Sequence, residues 1–133
     1  GERLRRDVWM LAQIVRGFAA KAAVMRTPDK SDRWAGVDSF RFIKEFLAYF
    51  RAMGYSLLRA NDYPRFDQFI AAMTSLEETD LLDPGRLANA VTECEAFYSF
   101  LISLFDSISH REERAGTPFD RRAAAEALKM YLG

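Results

Sequence analysis

Residues 38–60 read DSFRFIKEFLAYFRAMGYSLLRA, and a wheel at 100° per residue divides them into two arcs. Phe40, Phe42, Ile43, Phe46, Leu47, Phe50, Met53, Leu57 and Leu58 fill one half of the circumference. Arg41, Lys44, Arg51 and Arg59 share a narrow stripe opposite, with Ala48 and Tyr55 between them and Glu45 to one side. An apolar arc this wide places the helix deep in a core, against at least two neighbours. The basic stripe calls for an anionic partner, inside the molecule or outside it.

Working outward, the same periodicity yields four more helices. Leu4, Val8, Leu11, Val15, Phe18, Ala22 and Met25 share one face of a first helix over 2–25. Thr27-Pro28-Asp29 ends it, and the polar stretch through Gly36 reads as a surface loop before a cap at Asp38 or Ser39. Asn61-Asp62-Tyr63-Pro64 introduces a short third helix with Phe66, Phe69, Ile70 and Met73 at i, i+3, i+4 and i+7. Glu77-Glu78-Thr79-Asp80 forms an acidic connector. Asp83-Pro84 is an N-cap followed by proline at the first helical position, opening the longest helix, which runs to about Arg114. Gly116 closes it, and Thr117-Pro118 opens a fifth helix ending near Leu132.

No strand alternation or internal repeat interrupts this pattern. The expected fold is all-α, a helical bundle of about five helices, four main ones plus a short C-terminal one. The 133 residues fit a single domain, and the opening Gly-Glu in place of an initiator Met fits a piece excised from a longer protein. Eleven Phe make the core unusually bulky, either simply thick or lining a cavity.

The charges cancel overall but not along the chain. Residues 1–65 hold thirteen Lys/Arg against seven Asp/Glu, and residues 66–133 hold six against twelve. Two halves folding onto each other would pair these charges, and that reading outranks a molecule with one basic face.

Chemistry-bearing patterns are scarce. The lone Cys94 falls on the apolar face of the fourth helix and reads as an inert small hydrophobe. The lone His110 lies in that helix's last turns with Arg111 and Arg114, a cationic flank suited to the helix dipole. A Ser/His/Asp set, zinc-type spacing, a di-iron Glu-x-x-His pair and a calcium loop are all lacking. The expectation is therefore a non-enzymatic protein without metal or cofactor. With neither a membrane-length apolar run nor a signal peptide, it is expected to be soluble and cytoplasmic.

Three surface features suggest partners. Trp9 sits off the apolar face of the first helix beside Gln13, Arg16 and Ala20, either as an interface anchor or covered by the 26–36 loop with its own Trp34. The basic stripe is the second, with Glu93, Glu95 or the acidic connector as internal alternatives to an external anion. Third, the fourth helix carries Thr92, Ala96, Ser99 and Ser103 at i, i+4, i+7 and i+11 on the side opposite its core face. Small residues there admit a second helix closely. By default that is the fifth helix, with Ala123, Ala124, Ala125 and Ala127, and otherwise the same helix of a second subunit.

The candidate interaction surface is thus Trp9, Arg41, Lys44, Arg51, Arg59, Ser99 and Ser103. The leading function is protein–protein interaction or scaffolding, including self-association. The alternatives are a ligand-sensing domain holding an apolar small molecule in its Phe-rich core, and then anion or nucleic-acid binding through the basic helix face.

Overall fold

The computed structural model describes residues 2–25, 30–53 and 64–132, with side-chain environments given outside 23–36 and Arg65. The described residues form an all-α bundle without strands. Helix α1 spans Glu2–Met25, α2 Lys30–Met53, α3 Pro64–Ser75, α4 Pro84–Arg114 and α5 Arg121–Leu132. A 3-10 helix, Glu78–Leu82, joins α3 to α4.

Helix α1 is the centre of the molecule, packed between α2 and α4 and crossed by α5. Its expected face is buried from Leu4 through Ala22, and so are Met10, Ala12 and Ile14 outside that face, while the Met25 side chain lies outside the described residues. A helix apolar over so much of its circumference must be covered from several sides. Helix α3 bridges α4 and α2 through aromatic rings. Phe69 stacks on Phe97 with centroids 3.8 Å apart, and Phe66 touches both Phe97, at 5.7 Å, and Phe50, at 5.3 Å. Seven of the eleven Phe are buried and the other four half-buried, so the bulk expected from composition is spent on ring-to-ring packing.

The start of α2 differs from the sequence reading. Lys30–Gly36 continues the helix instead of forming a surface loop, and Asp38 and Ser39 lie inside it. Val37 is buried, one turn ahead of Phe40, so the apolar stripe begins earlier than the Phe-rich run suggests. The backbone is helical from Lys30, and a single Gly36 within it costs only about 1 kcal/mol. Asp38 then serves as an i,i+3 partner for Arg41 at 3.3 Å. The later part of the stretch, with Tyr55, Leu57, Leu58 and Arg59, lies outside the described residues.

Helix α4 starts as expected. Asp83 Oδ1 accepts from the backbone N–H groups of Gly85, at 2.8 Å, and Arg86, at 3.1 Å, with Pro84 at the first helical position. It ends before Gly116, which adopts φ +88°, a left-handed conformation that favours glycine.

Two buried charges pin α1 to its neighbours. The Arg5 side chain is fully buried. Its guanidinium donates to the carbonyls of Thr117 at 3.1 Å and Pro118 at 3.3 Å, pairs with Glu2, and lies over the Phe119 ring at 5.4 Å. Phe119 in turn packs on Trp9, at 6.0 Å, and edge-on to Phe105, at 4.9 Å. Two residues along, buried Asp7 accepts from the Tyr49 hydroxyl of α2 at 2.9 Å and from Arg6 at 3.2 Å. Arg5 therefore fixes the α4–α5 linker, and Asp7 fixes α2.

Replacing Arg5 with Met keeps the bulk and removes every donor. The Thr117 and Pro118 carbonyls then lose their donor, and because both residues are exposed, water takes up part of the loss, leaving a cost of about 1–3 kcal/mol for the two together. The expected result is a clear drop in the urea midpoint at unchanged m-value. Ser99→Ala, on the exposed side of α4, should move it by less than about 0.5 kcal/mol.

Candidate functional site

The basic stripe of α2 faces the acidic connector. Arg41 Nη2 donates to Glu78 Oε2 at 3.0 Å, and its Nε donates to the other carboxylate oxygen, a two-point pairing. This contact holds the Glu78 carboxyl below its ordinary range. Lys44 is half-buried, donates to the Leu76 carbonyl and sits over the Phe40 ring at 4.9 Å. Its charge also reaches Glu78 and Asp80.

The connector is itself prearranged. Glu77 and Asp80 form a reciprocal capping box around the first turn of the 3-10 helix. The Glu77 N–H donates to Asp80 Oδ2 at 2.9 Å, and Arg86 pairs with the same carboxylate. Together these lower the Asp80 pKa, the backbone donor most. The basic first half and acidic second half of the chain thus meet at this seam. Both pairs are exposed, so they set register more than stability. Arg51 is exposed in the last described turn of the same helix, and Arg59 lies outside the described residues.

Beside this seam an open cleft of about 330 Å³ lies between α3, the 3-10 helix and α4. Met73, Leu76 and Ala90 give it an apolar wall, and Asp80, Arg86, Asn89 and Glu93 a charged and polar rim. It differs in character from the enclosed apolar cavity that the ligand-sensing alternative calls for.

Trp9 is half-buried, and Phe119 of the α4–α5 linker packs against it. The side chains of the 26–36 stretch, Trp34 included, lie outside the described residues. The Thr117-Pro118 pattern places Phe119 inside the first turn of the fifth helix, whereas the helix starts only at Arg121 behind an Asp120 cap, because Arg5 holds the Thr117 and Pro118 carbonyls and Phe119 packs on Trp9. The sequence reading also missed Arg5, Asp7 and Tyr49. On a wheel Arg5 and Asp7 merely flank the apolar face, and only the neighbouring helices show that they are enclosed.

The small-residue face of α4 is where structure and default expectation part. Thr92, Ala96, Ser99 and Ser103 are all exposed. Helix α5 packs on α1 and reaches α2 through Tyr131, whose ring meets Phe46 edge-on at 5.0 Å. Its one buried residue is Ala124. The physical cause is the Arg5 anchor, which turns the chain towards α1 immediately after Gly116 and carries α5 away from the open side of α4.

The site residues therefore fall into separate places. Arg41 and Lys44 sit at the acidic seam, Ser99 and Ser103 on the open face of α4, and Trp9 beneath the linker. Among the described residues no group of three His, Cys, Asp or Glu side chains could hold a metal ion, and no helix is long and apolar enough to cross a membrane.

Cys94 is buried among the core residues of α4, and burial, with Glu93 and Glu95 adjacent, pushes its thiol up to about 12. The folded protein should resist a disulfide-exchange reagent at pH 8 and react fully once denatured. Because the folded pKa is raised, the protonated thiol favours the folded state. Its contribution is complete below the unfolded value near 9 and is lost as pH rises from there to about 12. Cys94→Ala should flatten that alkaline part of the stability profile.

No known protein family, characterised protein or solved structure matches this chain.

Proposed function

We propose that this domain acts by protein–protein contact without a catalytic step, and that its contact face is the exposed side of α4. The observation that carries the reading is the uninterrupted small-residue surface of Thr92, Ala96, Ser99 and Ser103, left open while α5 docks elsewhere. The longest helix in a protein usually spends its outer face on Lys and Glu for solubility. Here that face is smooth over roughly 16 Å at 1.5 Å per residue, which lets another helix approach closely.

A second copy of the same helix, running antiparallel, fits the face best. An axis between Phe97 and Tyr98 sets Thr92 opposite Ser103 and Ala96 opposite Ser99. Glu93 of one copy then comes to the flank that carries Phe100 of the other, and Glu95 to the flank that carries Ile102, so each carboxylate meets an apolar neighbour. His110, Arg111 and Arg114 come to the end where Glu77, Asp80 and Asp83 gather. Such a contact is isologous, the commonest form of self-association. Arg41 and Lys44 are already engaged at the acidic seam, and Trp9 is covered by Phe119, so both add less to an outer surface.

The test is solution mass by light-scattering chromatography over a wide concentration range. A dimer that Ser99→Glu converts to a monomer, with the helical spectrum retained, supports the α4 contact. A monomer at every concentration, or a dimer indifferent to Ser99→Glu, removes it.

A further inference from the structure

Helix α5 is held differently from the rest of the bundle. Of its twelve residues only Ala124 is buried, while Ala127, Leu128 and Tyr131 are half-buried against the core. These four stand at i, i+3, i+4 and i+7, one narrow face. Met130, 83% exposed, and Leu132, 42% exposed, project away from it.

The anchor of this part of the chain is not α5 but the linker before it. Arg5 grips the carbonyls of Thr117 and Pro118, and Phe119 is held between Trp9 and Phe105. Asp120 follows, its carboxylate accepting from the Ala123 N–H at 3.0 Å to start the helix. A strong clamp is thus followed by a lightly seated helix, so α5 can lift as a unit while the linker stays in place. Beneath it, Phe46 is 1% exposed with the Tyr131 ring against its edge, and Tyr49 and Glu45 lie beside that ring.

We infer that α5 is a releasable strap, and that the surface of α1 and α2 under it is a docking groove for a basic amphipathic helix. The occupant's chemistry is read from the helix that fills the groove in the closed state. Three turns present alanine, alanine, leucine and an aromatic ring at that spacing, with Arg121, Arg122 and Lys129 outweighing Glu126 on the remaining surface. Glu45 at the rim favours the positive charge. A competing helix meets a tethered rival at high local concentration, so the closed chain binds it weakly and the opened chain tightly. This groove is separate from the outer face of α4, and the inference stands whether or not that face pairs.

Hydrogen exchange on the full chain tests the strap, and a fluorescein-labelled peptide of residues 120–132 tests the groove. The α5 amides are expected to exchange at least about 100-fold faster than those of α1 and α4, reflecting local opening. Tyr131→Ala in the full chain should accelerate α5 exchange further without changing α4, and should tighten capture of the peptide by at least about ten-fold over the unaltered chain. Leu128→Ala provides a second weakened strap should Tyr131→Ala disturb the core. Exchange of α5 at the same rate as α1 and α4 would overturn the strap. Fast α5 exchange without peptide capture by either weakened chain would overturn the groove.

Discussion

A guanidinium taken out of water must find acceptors, and in this protein Arg5 finds them in the α4–α5 linker. The carbonyls of Thr117 and Pro118 lie beyond the end of the longest helix, more than a hundred residues away along the chain. Satisfying Arg5 therefore joins the first helix to the last turn of the fold. It also fixes the direction in which the chain leaves Gly116, and with it which surface α5 covers. One of its nitrogens, Nε, is buried without a partner, so the guanidinium is held by its terminal nitrogens alone.

The second constraint is aromatic. Phe50, Phe66, Phe69 and Phe97 form a continuous set of rings that ties α2, α3 and α4 together. Large flat side chains suit a short α3, which has few turns with which to hold on. Its Phe66 and Phe69 supply contact area that smaller residues would need a longer helix to match. The 3-10 helix completes this side by setting Glu78 against Arg41, an exposed charged clasp across α2 and the connector.

These two ends of the bundle have different surfaces left over. At the acidic seam most charge is already paired within the molecule, which leaves little for an external anion. On the outer side of α4 Thr92, Ala96, Ser99 and Ser103 leave a small, uncharged strip between the exposed Glu93 and Glu95, and at α5 the chain is thinly seated. The functional reading rests on those last two places, because each is a surface whose form internal packing does not require.

How much of this was legible follows from the range of each signal. Helical periodicity is local, so the inner faces of α1, α3 and α4 and the Phe40–Phe50 arc of α2 could be read from the sequence, as could the Asp83-Pro84 start and the Gly116 stop. The start of α2 could not, because Lys30–Gly36 is polar and its helical state depends on continuity with Val37 and Phe40. The partner of Arg41 was named only among alternatives, since Glu78 lies 37 residues away and charge alone does not choose between Glu78, Glu93 and Glu95. The tertiary structure alone decided that Arg5 and Asp7 are buried, that Phe119 covers Trp9, and that α5 leaves the small-residue face of α4 open. A helix's apolar stripe is set by its own residues at 100° per step, whereas the fate of its polar and small residues depends on which distant segment arrives opposite them.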